Sequence, residues 1–129
     1  MYGFPADLNP SVFGNKRLVQ LRLLENCVFL DFEEEVEIVP RDRALETVQI
    51  RVDSCLTYTS HDGATEHEDV PHRNMNLNSL VGAVVVRATV DEASTLTLDF
   101  GGGRTLSCYE DAANYECYNI TFGGHTYYV

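Results

Sequence analysis

The chain of 129 residues carries 20 acidic and 9 basic side chains, a formal charge of −11 with its histidines neutral. Hydrophobic residues make up 44% and aromatics 10%, which excludes a disordered chain, while so negative a field opposes direct binding to nucleic acid or an anionic membrane. No window approaches the roughly 20 apolar residues of a membrane-spanning helix, and the start lacks the basic head and apolar run of a secretory signal, so a single cytoplasmic domain is expected.

Helix is predicted to be scarce. Leu8 to Phe13 suits one short turn, and a second is expected to end at Asn78 or Ser79. Lys16 is the only lysine; the other bases are arginines spread through the chain, so no basic patch can be drawn. From there the period of a half-buried strand dominates. Val28, Leu30 and Phe32 alternate with polar neighbours, and Val36 and Ile38 do so again. Between them Glu33, Glu34 and Glu35, with Asp31 and Glu37 nearby, form the densest acidic run and are assigned to a hairpin turn. Val48, Ile50 and Val52 make a clean strand against Gln49, Arg51 and Asp53. Ser60 to Asn78 is polar, includes Gly63 and Pro71, and is expected to be a mobile connection.

Leu96, Leu98 and Phe100 alternate before Gly101-Gly102-Gly103, and Tyr118, Ile120 and Phe122 before Gly123-Gly124. Both glycine groups suit hairpins, where positive φ is needed. The triple glycine is not a phosphate loop, because a strand and not a helix N-terminus follows. Leu18-Val19 leading to Leu30-Asp31-Phe32 matches Leu80-Val81 leading to Leu98-Asp99-Phe100. The fold class expected is mainly β: two similar antiparallel β-meanders packed as a small sandwich or partly open barrel. The matched halves are placed at 16–40 and 79–108, joined by 41–78, with a C-terminal hairpin over 114–129.

Catalytic chemistry finds little to stand on. Cys27, Cys55, Cys108 and Cys117 form no CxxC pair and suit core packing as thiols. His61, His67 and His72, beside Asp62, Glu66, Glu68 and Asp69, could surround a divalent ion, but their spacing fits no standard zinc site, and no metal or cofactor is expected. Cys117 and His125 are a conceivable nucleophile and base, yet no acyl-transfer motif accompanies them. Five of the seven tyrosines lie in the last third: Tyr109, Tyr115, Tyr118, Tyr127 and Tyr128. The candidate partner-binding residues are therefore Glu33, Glu34, Glu35 and Glu37, with Tyr109, Glu110, Asp111, Tyr115, Glu116 and Tyr118, which together would suit a basic protein. A sheet-edge homodimer, a ligand- or metal-binding β-barrel enzyme closed by the 60–78 loop, and a self-assembling structural protein are the competing expectations.

The opening Met1-Tyr2-Gly3-Phe4-Pro5-Ala6-Asp7-Leu8, the Leu30-Asp31-Phe32 segment, Leu96-Thr97-Leu98-Asp99-Phe100 and Asn114-Tyr115-Glu116-Cys117-Tyr118-Asn119-Ile120 resemble small uncharacterised bacterial proteins. Those open on a YGLP-like segment and close on YE-x-[YW]. The resemblance implies a bacterial β-rich protein and brings no catalytic residues. In size and acidity it is similar to immunity proteins that neutralise toxins, an analogy of type.

Overall fold

A computed structural model describes residues 3–39, 41–53, 55–60, 65–69, 77–110 and 117–129, with backbone alone at 38 and 65–69. Among the described residues ten strands run in chain order: β1 (Arg17–Leu23), β2 (Val28–Val39), β3 (Asp42–Val52), β4 (Cys55–Thr59), β5 (Thr65–Asp69), β6 (Arg87–Val90), β7 (Leu96–Asp99), β8 (Thr105–Cys108), β9 (Tyr118–Phe122) and β10 (His125–Tyr128). The only helical elements among the described residues are 3-10 turns at Pro10–Phe13 and Leu77–Leu80. The first is capped by the Asn9 side chain, which accepts from the Ser11 N–H, and has Pro10 where a missing N–H costs nothing.

The strands form two antiparallel five-stranded sheets, ordered β1-β2-β3-β9-β10 and β5-β4-β8-β7-β6. Their inward residues meet in one core: Leu30, Phe32, Val48, Ile50 and Ile120 from the first sheet, Leu56, Leu96, Leu98 and Leu106 from the second. This is the mainly β, sandwich-like arrangement expected from the alternation. Each sheet combines a three-strand meander with a hairpin from the other half of the chain, so neither half closes its own sheet.

The two halves repeat each other in their pairing. Leu30 faces Ile50 as Leu98 faces Leu106. The Asp53 N–H donates to Cys117 O at 2.9 Å, and the Tyr109 N–H to Cys55 O at 3.4 Å. Where the halves cross, the Leu18 N–H donates to Ala83 O and the Val85 N–H to Lys16 O. Asn15 and Gly82 occupy matching places there, both with positive φ, 67° and 94°.

That pairing corrects the sequence alignment in two respects. The Leu-Asp-Phe match is structural, but the Leu-Val match is not: Leu18 lies in β1, whereas Leu80 ends a 3-10 turn and corresponds to Phe13. The meander also continues past residue 40 into β3, and the supposed connection 41–78 holds β3, β4 and β5. The two Leu-Val dipeptides therefore hold different places in the fold.

The acidic run is not at a turn. Glu33, Glu34, Glu35 and Glu37 lie within β2, whose twelve residues and the eleven of β3 form a hairpin far longer than its counterpart, the four-residue strands β7 and β8. The short hairpin ends at Gly101, Gly102 and Gly103, all at positive φ. The long one continues as an arm, because β1 covers β2 only up to the Arg17–Glu33 pair and β9 covers β3 only from Val48 onward.

Cys27, Cys108 and Cys117 are buried, Cys55 is half-buried, and all four are free thiols. Burial, with Cys55 close by, pushes the Cys108 thiol up to about 12. Burial likewise raises the Tyr118 phenol, helped by nearby Cys108, Glu110 and Asp91. A proton held more tightly in the folded state stabilises it below the unfolded pKa, and that contribution is lost as pH rises through the folded one. Stability is therefore expected to fall by about 1 kcal/mol between pH 9 and pH 10 through Cys108. Urea midpoints across this range check it: Cys108→Ala should flatten the decline, and an unchanged slope in that variant would refute the assignment.

Candidate functional site

The site is built at the root of the arm. Leu18 enters the core from β1, and the residue two before it, Lys16, arrives 2% exposed between the arm and the crossing of the halves. Its Nζ donates to Glu34 Oε1 at 2.9 Å and to Glu46 Oε1 at 2.7 Å. Glu34 and Glu46 face each other across β2 and β3 on the side that carries Phe32 and Val48 inward. Like charges directly opposite destabilise a sheet, and one ammonium removes that conflict. Burial alone would lower the Lys16 pKa; the hydrogen bonds to Glu46 and Glu34, with their charges, outweigh it and hold the ammonium above the ordinary lysine value.

Alternate residues of β2 point the other way, so Asp31, Glu33, Glu35 and Glu37 line the outer face. Their opposite numbers on β3 are Gln49, Thr47, Leu45 and Arg43. Asp31 is satisfied, accepting from Gln49 Nε2 at 2.7 Å and from Arg22 Nε at 3.3 Å. Arg22 also lies 4.4 Å from the centre of the Phe29 ring, which fixes it there. Glu35 and Glu37 have only long contacts to Arg43, 3.8 and 3.7 Å, between exposed groups. Such pairs contribute little. Glu33 has no ion-pair partner among the described residues.

Glu33 lines two adjoining depressions. One, of about 360 Å³, is bounded by Asn15, Arg17, Val19, Glu33 to Glu35, Leu45 and Val84. The other, of about 290 Å³, lies toward Gln49 and Thr121. Leu45 stands 63% exposed at the first, and Val19 and Val84 are exposed beside it. Glu34 there is neutralised by Lys16, and Arg17 lies opposite Glu33, but Glu33 forms no ion pair among the described residues, and an apolar rim beside such a carboxylate suits a cationic side chain with an aliphatic stem, as Arg and Lys have.

The remaining sequence candidates do not join this site. Tyr118 is fully buried, and its OH donates to Ser94 O at 2.7 Å, so it is a core residue and not a surface contact. Tyr109 follows β8 of the second sheet, its OH 2.9 Å from Thr57 Oγ1. Glu110 follows it, half-buried. Asp111, Tyr115 and Glu116, with His61 and His72, lie outside the described residues, and His67 is placed only as backbone in β5 opposite Thr57. Cys117 is buried while His125 is exposed, with its ring 4.5 Å from that of Tyr127. Among the described residues no cluster of three or more His, Cys, Asp or Glu could hold a metal, and no helix is long and apolar enough to cross a membrane.

Sequence reasoning missed Lys16, Leu45, Val19 and Arg17. One signal was available: a lone lysine in a chain that otherwise uses arginine, just before a buried strand.

Comparison with known proteins gave no match among curated proteins or solved structures. One family model matches residues 13–129, described as a family of unknown function (DUF6188). The matched span includes Leu30-Asp31-Phe32, Leu96–Phe100 and Asn114–Ile120, and leaves out the Tyr2-Gly3-Phe4-Pro5 opening.

Proposed function

The chain belongs to the DUF6188 family, whose description assigns no activity, and on that premise we propose a non-enzymatic binding protein whose acidic arm docks on and occludes a basic protein partner. An immunity protein or an inhibitor of a nucleic-acid-handling enzyme is the type of molecule meant. The observation that carries this reading is Glu33, half-buried between two depressions and in no ion pair among the described residues although Arg17 lies opposite it in β1, with Glu35 and Glu37 held only by long surface contacts. Carboxylates so placed offer a partner's arginine or lysine a partly desolvated contact without first breaking a strong internal pair. The overall charge of −11 adds long-range steering, which accelerates encounter with a positive surface and is screened by salt. Occlusion of the partner's basic surface is the mechanism; no bond is made or broken.

The test compares wild type with Glu33→Lys/Glu35→Lys as baits in host extract at low and raised ionic strength. The expected result is a basic protein, identified by mass spectrometry, that wild type retains at low salt and releases as salt rises. The reversed bait should bind it at least tenfold more weakly. Retention that ignores both salt and the charge reversal, or no basic protein at low salt, would defeat the reading.

A further inference from the structure

The arm leaves an unpaired strand edge beside the acidic face. β1 begins at Arg17 opposite Glu33, so among the described residues the stretch of β2 beyond Glu33 has β3 on one side and no strand on the other. Hydrogen-bond alternation decides which residues face that open side. The Leu24 N–H donates to Cys27 O at 2.9 Å, next to the Leu23–Val28 pair, so the odd-numbered residues of β2 turn their backbone groups toward β1. Beyond Arg17 those residues are Glu35 and Glu37. Their outward N–H and C=O groups have no strand to pair with among the described residues, while their side chains make the acidic outer face.

We infer that this edge accepts an extended, basic segment of the partner as an added strand, lying antiparallel to β2 over residues 34–37, before the register shift between Glu37 and Val39, and in line with β1. This rests on the acidic docking reading and specifies the form of the partner. An added strand alternates its side chains between the two faces as β2 does. On the outer face it meets Glu35 and Glu37, with Glu33 already opposite Arg17; on the other it meets Val36, which is half-buried beside Ala44. The segment that fits therefore has Arg or Lys at every second position with apolar β-branched residues between them. Four residues of strand, roughly 13 Å, fill the edge. The 360 Å³ depression at Arg17 and Leu45 receives the side chain at its end.

Charge selects among occupants. A second copy of this chain pairing edge to edge would bring Glu35 and Glu37 against their own equivalents, and like charges directly opposite oppose that pairing. A basic strand meets the opposite sign.

The probe is a synthetic peptide of about eight residues alternating arginine and valine, compared with a scrambled peptide of the same composition and with two N-methylated forms. One form is methylated at the amides that face β2, the other at those that face away. The alternating peptide is expected to bind at least tenfold more tightly than the scramble in low salt. Methylation of the facing amides should remove at least tenfold, and methylation of the others should leave binding intact. The Glu35 and Glu37 amides should gain protection from hydrogen exchange when the peptide binds.

Equal binding of alternating and scrambled peptides, or indifference to which amides are methylated, would overturn strand addition; if the salt-sensitive partner of the preceding section persists, acidic docking survives without it. Concentration-dependent self-association that protects the same two amides without peptide would also overturn the inference, in favour of a second copy. Loss of the partner in the bait experiment as well would remove both readings.

Discussion

Replacing Lys16 with methionine is expected to cost about 3 kcal/mol of stability, although the new side chain is apolar and close to lysine in volume. The loss comes from the groups left behind. Glu34 and Glu46 oppose each other across β2 and β3, and both hydrogen-bond to the same Nζ. Without it, two carboxylates repel at the mouth of the core. Their side chains are 27% and 40% exposed and can turn partly toward water, which keeps the cost at the low end of the range for a broken buried pair.

Urea denaturation measures the loss, and hydrogen exchange should localise it to the outer half of the β2–β3 hairpin. Adding Glu34→Gln and Glu46→Gln to the methionine variant should recover most of it, because neutral amides need no counter-ion. A loss below about 1 kcal/mol for Lys16→Met would mean that the ammonium contributes no more than a surface pair. The wild type should also lose stability above pH 10.5, the ordinary lysine value, since Lys16 holds its proton more tightly when folded; the methionine variant should lack that component.

Phe13→Ala is expected to be costlier, about 3–5 kcal/mol. Phe13 ends the first 3-10 turn fully buried, and its ring meets Phe32 edge to face with centroids 5.9 Å apart and planes at 79°. It lies beside the crossing where Asn15 to Leu18 pair with Gly82 to Val85, so the space it fills holds the two halves together. The backbone there is tied by those cross-half hydrogen bonds and has little freedom to collapse into the vacated volume. Denaturant unfolding reads the loss directly. A cost near 1 kcal/mol would show that the site relaxes, and would weaken the view that this crossing organises the sandwich.

What the sequence determined by itself is the set of facts with a short range. Apolar alternation at Val28, Leu30 and Phe32, at Val48, Ile50 and Val52, and at Leu96, Leu98 and Phe100 fixes which side of each strand is buried, because the period belongs to the backbone. Gly123 and Gly124, at φ of 63° and 77°, mark their hairpin for the same local reason. The acidic run misled because the apolar alternation of β2 is interrupted at Glu34 before it resumes at Val36 and Ile38. A local reading takes that as the end of the strand.

Tertiary structure alone decided that β2 continues, since the group that allows Glu34 to face inward is Lys16, eighteen residues earlier in the chain. It also decided that β3 pairs with β9 and β4 with β8, so that each half completes the other's sheet. Sequence specifies faces through local geometry; partners are chosen by the global burial of apolar area and the neutralisation of charge, which depend on where distant segments arrive together. The edge of the arm that stays open among the described residues is a product of that second kind.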